Sequence, residues 1–309
     1  MLKSFGYNAP LPVQGLTACL APGCDFGVLC YLHGTMTPLS YLSVLKISGA
    51  DAGKFLQSQL TADLAGLNAP TATFSAYCSP RGQVIATLLL SPREDHWLAV
   101  AESSLLQHLI ERLQKYILRE HVRLEPLVDH HVIAVEPDEP LAGDLKVLAP
   151  RTLPIRYATS KVQAMPNTEA TARWRRSELL FGIPWLNPSS SEKYIPQMLG
   201  LDTIGAISFS KGCYPGQEVI ARARHLGEVK RRPQVLDIDG PKAPDMKAPC
   251  FIRTSAGQVE ATLVHCVATS ATTFTIFTVA ALPAGEAIRA VEQDGGYWNA
   301  KHSFREQQQ

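Results

Sequence analysis

Cys213 is the reactive residue with the most telling surroundings, in the run Lys211–Gly212–Cys213–Tyr214–Pro215–Gly216–Gln217–Glu218. Proline at the second and glycine at the third position of Tyr214–Gln217 specify a tight turn. Gly212 adds a second permissive backbone point. Beyond the turn, Val219, Ile220, Ala223 and Leu226 recur at helical spacing, with Glu218 in the first turn. A cysteine just before a helix N-terminus and two residues from Lys211 has its thiolate favoured by dipole and ammonium together. The thiolate is the nucleophile and the metal ligand. The same residue types also fit a half-buried thiol in a connecting loop. A metal site lacks a local ligand pair, since His225 would have to fold back across the helix. Nucleophilic catalysis by a cysteine–histidine pair has no support in the local spacing either.

The same stretch is cationic. Between residues 211 and 232 lie six cations, Lys211, Arg222, Arg224, Lys230, Arg231 and Arg232, against Glu218 and Glu228. A solvated face explains such a run; anion binding, to a polyglutamyl tail, phosphates or RNA, explains it equally by residue type. No aromatic residues are interleaved with the cations from Arg222 to Arg232, which single-strand RNA binders need for base stacking. The net charge of the whole chain is +1, so any polyanion must be met by a local patch.

The chain has 309 residues, 46% hydrophobic and 18% charged, which predicts two or three compact globular units. Seven cysteines, an odd number spread thinly, predict reduced thiols in a cytoplasmic protein rather than a disulfide framework. Cys19, Cys24 and Cys30 cluster without matching zinc or common iron–sulfur spacings. No apolar run approaches the roughly 20 residues that span a bilayer, so no membrane association is expected.

Strands are predicted at 42–49, 71–78, 83–90, 96–101 and 121–128, with helices at 50–60 and, behind a serine cap, at 103–118. That order predicts an α+β layer with helices on one face of a mainly antiparallel sheet. The pattern restarts with strands in "HHVIAVE", "LKVLAP" and "PIRYAT" and a helix at 169–182. From Pro233 to Val291 the chain is proline-punctuated and rich in Val, Thr, Ile and Phe, which predicts a small β-barrel. The expected units are therefore 1–128, 129–232 and 233–309, the first two able to interleave as one module.

"KGCYPGQE" (211–218) resembles the K-G-C-Y-x-G-Q-E signature of the YgfZ family of folate-binding proteins, relatives of the glycine-cleavage T-protein, an aminomethyltransferase. The resemblance runs through "KFLQSQLTADL", "CSPRGQVIATLLL", "FGIPWL" and "IPQMLGLDTIGAISFSKG" and covers roughly residues 40–232. It implies two ferredoxin-like-type α+β layers and a C-terminal barrel around a central opening for tetrahydrofolate or another reduced folate. It implies cofactor contacts near Gln59, Thr61 and Asp63 and around Lys211, Tyr214, Gly216, Gln217, Glu218 and Arg222, with Cys213 as the functional residue. The partners implied are iron–sulfur enzymes such as tRNA-modifying radical enzymes, with at most weak RNA contact, and the protein is expected to be a monomer.

Aminomethyl transfer and a non-catalytic RNA- or protein-binding adaptor are the alternatives. The T-protein pattern G-x-V-I-D-D reads Gly82–Gln83–Val84–Ile85–Ala86–Thr87 here. Neither Ala86 nor Thr87 can orient or deprotonate the accepting folate nitrogen at neutral pH. The glutamate expected two residues before the helix-ending Gly182 is Leu180, and Glu178 lies about 200° around the helix from it.

Overall fold

The structure, a computed structural model, describes residues 37–135, 146–161, 165–225, 229–282 and 286–303. Cys19, Cys24, Cys30, Leu226 and Glu228 lie outside them. The first half of the fold contains β1 (Thr37–Pro38), β2 (Leu42–Ser48), α1 (Ala52–Gln59), β3 (Thr71–Cys78), β4 (Val84–Pro92), β5 (His96–Glu102), α2 (Leu106–Gln114) and β6 (Arg123–Pro126). It continues with β7 (His131–Val135), β8 (Lys146–Pro150), β9 (Arg156–Ser160), α3 (Thr168–Leu180) and α4 (Gln217–His225). The strands make one nine-stranded sheet in the order β1-β7-β9-β8-β3-β4-β5-β2-β6.

The two halves of that sheet join through a short parallel pairing of β3 with β8, Thr71 opposite Ala149 and Ala72 opposite Pro150; the other pairs are antiparallel. β3 and β4 sit at this centre and are buried along almost their whole length. Strands covered on both faces need continuous apolar runs rather than alternation, and "TATFSAYC" and "VIATLLL" supply them. α1 buries Phe55 and Leu56, each worth roughly 1.5–3 kcal/mol when fully withdrawn from water.

The helix expected at 103–118 is shorter and differently capped. A 3-10 turn at Ser103–Leu105 precedes α2, and its cap is Glu102, whose carboxylate accepts from the Ser104 N–H. α2 ends at Gln114, where the Tyr116 and Ile117 N–H groups turn to the Leu113 and Gln114 carbonyls three residues back, and Glu120 then takes the N–H groups of Leu118 and Arg119 at 3.0 and 3.1 Å.

β10 (Arg232–Asp239), β11 (Cys250–Thr254), β12 (Gln258–Ala268), β13 (Thr273–Ala280), β14 (Ile288–Gln293) and β15 (Gly296–Ser303) close a barrel in the order β10-β13-β12-β11-β14-β15. Its own core is built on Leu236, Ile252, Leu263, Ile276, Val291 and Trp298. The other faces of β10, β12 and β13, through Val235, Val264, Phe277 and Val279, belong to the core of the sheet. α3 lies at this junction, where Arg176 donates to Asp237 and, at 3.1 Å, to Thr275 Oγ1. Among the described residues no helix is long and apolar enough to cross a membrane.

Candidate functional site

The turn predicted at 214–217 forms, with the Gln217 N–H donating to the Tyr214 carbonyl at 3.2 Å and Gly216 at φ +80°. It docks on the tip of the β3–β4 hairpin. A Cβ added at Gly216 would stand 2.6 Å from Gly82 Cα and 2.7 Å from the Ser79 carbonyl oxygen, backbone atoms that cannot swing away. Glycine is thus required twice over, for its conformation and for the approach. Gly212 has no such need: its φ is not positive and nothing lies within 4 Å of an added Cβ.

Lys211 makes the second anchor. Its ammonium donates to the Leu60 and Ala62 carbonyls at 2.9 and 2.8 Å and lies 5.5 Å from the centroid of the Tyr214 ring. Burial holds this ammonium down to about 8, against the pull of Asp63. Between those two carbonyls Thr61 is fully buried, its hydroxyl donating to the Ala206 carbonyl at 2.7 Å and accepting from the Ala76 N–H at 2.8 Å. The Thr61 carbonyl takes the Ser208 N–H at 2.8 Å. Tyr214 is buried near Cys78, and burial pushes its phenol up to about 12.

These anchors leave Cys213 exposed between them. The charge two residues away points into the α1 end rather than being free for the thiol, and α4 begins four residues further on. α4 itself buries Ile220, while Val219, expected on the same inner face, is exposed against Gly82. Gln217 and Glu218 open this helix, and Glu218 pairs with Arg222 at 2.8 Å on its exposed side. Gln59 donates to Ser58 Oγ at 3.3 Å, and its buried Oε1 has no partner among the described residues.

A cleft of about 490 Å³ opens beside these anchors, with Asp63, Arg151, Ser208, Phe209, Arg224 and His225 in its walls. Of the residues predicted to touch a cofactor, Asp63 is the one that faces it. The Ala65 N–H, then the Gln57 amide, hold the Asp63 carboxyl below its ordinary value, with Lys211 and Arg151 adding to the effect. Both hydrogen bonds fall on Oδ1, at 3.0 and 2.9 Å. Arg151 donates to the Asp63 carbonyl at 3.2 Å, and the Arg224 guanidinium stacks 4.0 Å above the centroid of Phe209.

The cationic run therefore divides. Arg231 and Arg232 are not a free face: they enter β10 at the barrel junction, where Arg231 donates to Thr262 Oγ1 at 2.8 Å and Arg232 pairs with Asp202 at 3.0 Å. Arg224 has no hydrogen-bond partner among the described residues. The aromatic partner missing from the run is Phe209, which lies just ahead of the signature and meets Arg224 through the fold. Arg151 gave no signal in sequence, because β8 and β9 bring it in from the other half of the sheet.

At the aspartate register of the T-protein pattern, Ala86 and Thr87 are buried, and the Thr87 hydroxyl donates to the Pro184 carbonyl at 2.8 Å. Behind them Trp185, Phe74 and Tyr157 pack edge to face at centroid distances of 5.6–6.4 Å. Glu178 is buried in this aromatic wall and accepts from Tyr41 Oη at 2.7 Å, Tyr157 Oη at 2.8 Å and Trp185 Nε1 at 2.9 Å. Burial raises its carboxyl above the ordinary value, against those three donors and Arg175. Among the described residues, no carboxylate stands at the Ala86–Thr87 register. No group of three or more His, Cys, Asp or Glu among the described residues could hold a metal ion.

No family model matches the chain. An uncharacterized protein of Haemophilus influenzae is 31% identical over 207 residues, covering 62% of this chain and 70% of that protein. A tRNA-modifying protein YgfZ from Yersinia pestis is 26% identical over 227 residues, 64% of this chain and 69% of its own length. The protein of that name from an Enterobacter species is 27% identical over 227 residues, 64% of this chain and 70% of its own. In fold the chain is similar to the glycine cleavage system aminomethyltransferase T of Bartonella henselae, with a TM-score of 0.61 at 14% identity over 86% of this chain and 84% of that one.

Proposed function

The chain belongs to the YgfZ family, built on the fold of the glycine-cleavage aminomethyltransferase, and from that premise we propose that it binds a reduced folate and assists iron–sulfur enzymes that modify tRNA. Cys213 is the residue that acts. The observation that carries this reading is the pair of anchors, Lys211 on the α1 end and Gly216 on the hairpin tip, which hold an exposed thiol in the segment that follows Ser210 of the cleft wall. Tyr214 and Gly216 of the signature have packing reasons, whereas Cys213 stands exposed. An exposed thiol held between two anchors is suited to meet a partner.

The cleft supports the folate half of the reading. Its volume of about 490 Å³ falls within the 300–1,000 Å³ usual for small-molecule sites. The ionised Asp63 has one oxygen, Oδ2, clear of the bonds to Gln57 and Ala65, able to accept from the amide and amine edge of a pterin. With Ala86 and Thr87 in place of the aspartate pair, the register that carries the T-protein carboxylates offers no base to a folate nitrogen, so assistance rather than one-carbon transfer is the role proposed.

Two readouts test the thiol. Iodoacetamide at pH 7 should label Cys213 at least tenfold faster than Cys250 and Cys266, whose thiols burial pushes up to about 11. In cells, Cys213→Ser should abolish support of tRNA-modifying iron–sulfur enzymes, read as loss of their modified nucleosides, with thermal unfolding unchanged. A Cys213 that labels no faster than the buried thiols, or a serine variant that supports those enzymes fully, overturns the role.

A further inference from the structure

The cleft carries a second chemistry besides Asp63: two guanidinium groups without carboxylate partners among the described residues. Other arginines are committed to partners in the chain. Arg222 pairs with Glu218, Arg232 with Asp202 and Arg176 with Asp237, and Arg231 donates to Thr262. Arg224 instead holds its guanidinium carbon over the Phe209 ring, 4.0 Å from the centroid. A stacked guanidinium has its plane fixed by the ring while its N–H edge stays open, the geometry for bidentate capture of an oxyanion. Among the described residues Arg151 makes one hydrogen bond in the cleft, to a backbone carbonyl, and its remaining donors have no partner there. The single carboxylate in the walls, Asp63, already accepts two hydrogen bonds from elsewhere in the chain.

Resting on the reading that a reduced folate occupies this cleft, we infer that Arg224 on Phe209, with Arg151, forms an oxyanion subsite that holds the carboxylates of the glutamate tail and selects longer tails. Asp63 and the arginines make the cleft two-ended: an acceptor for the amine edge of the pterin ring, and donors for anions. A monoglutamyl folate brings two tail carboxylates, and each further γ-linked glutamate adds one more within reach of the same cations and of His225 beside Arg224. Charges facing solvent are screened within about 10 Å at ordinary ionic strength, so the selection is strongest at low salt. The loop from 207 to 210 that presents Phe209 leads directly into Lys211 and Cys213, which couples occupancy of this subsite to the signature.

Calorimetry of the full chain with tetrahydrofolate in its monoglutamyl and triglutamyl forms tests this. The triglutamate should bind about tenfold more tightly at low salt, the scale of one charge-assisted contact, and lose that advantage at high salt. Arg224→Ala and Arg151→Ala, both at exposed side chains, should abolish the difference while the monoglutamate still binds. Arg224→Lys, which keeps the charge without the fork, should retain part of it, and Arg173→Ala, at an exposed arginine paired with Glu169, all of it. Equal affinity of the two folates in the parent chain, or a preference that survives both alanine variants, overturns the subsite and leaves the folate reading standing. Unpaired RNA that binds through Arg224 while folate binding ignores that residue overturns it also. If neither folate binds, the reading beneath it falls as well.

Discussion

Glu178→Ala should destabilise the fold by about 3–5 kcal/mol, whereas Glu178→Gln should cost about 1 kcal/mol or less. The alanine removes the acceptor of three donors at once, the hydroxyls of Tyr41 and Tyr157 and the Trp185 indole, all within the aromatic wall between sheet and barrel. A buried donor without a partner loses its solvation with nothing in return, and neither the indole N–H nor the Tyr157 hydroxyl can reach water from a fully buried position. Glutamine keeps the shape and one strong acceptor oxygen for Tyr157 and Trp185, while the Tyr41 hydroxyl turns to accept from the new amide. It also removes the cost of burying a charge. The folded-state carboxyl is raised above its ordinary 4.5, so its contribution is fully present below that pH and is lost as pH rises through the raised value. Denaturant titrations from pH 4 to 8 should show Glu178→Gln gaining on the parent as pH rises. A parent-like Glu178→Ala would mean that the wall does not depend on its carboxylate.

Gly216→Val should cost about 2–4 kcal/mol and disable the protein in cells, while Gly212→Ala should change neither stability nor support by a measurable amount. Position 216 combines φ +80° with a Cβ site only 2.6 Å from Gly82 Cα, and β-branched side chains are least able to adopt that backbone. The turn must lift off the hairpin tip, and Cys213 moves with it. At position 212 the added Cβ meets nothing. The contrast separates two glycines that look alike in the sequence, one on each side of the same cysteine, and thermal unfolding with the cellular readout distinguishes them. Equal effects at both positions would contradict the anchoring role of the turn.

What could be read from residues alone follows from how local each feature is. β3 and β4 were legible because continuous apolar runs bounded by Pro80 and Gly82 leave few alternatives, and the barrel because its strands recur between prolines. The turn at 214–217 was legible because only proline followed by glycine satisfies it cheaply. The joining of both halves into one sheet was not, since it rests on a parallel contact between Thr71–Ala72 and Ala149–Pro150 that no periodicity encodes. The cleft was half legible. Asp63 carries its chemistry in its type, but the direction of Lys211 toward the α1 end, the stacking of Arg224 on Phe209 and the arrival of Arg151 are long-range contacts. Reading the cations as one face failed for the same reason: their partners Asp202 and Thr262 come from other elements.

Titration of the purified full chain with tetrahydrofolate is the most direct test of the function proposed. Saturable heat at sub-millimolar concentration is expected, with a matching rise in the unfolding temperature from ligand binding to the folded state alone. Asp63→Ala should weaken that binding about tenfold, because the carboxylate oxygen offered to the ligand is gone. Neither heat nor a thermal shift at any concentration up to the millimolar range would contradict the folate assignment.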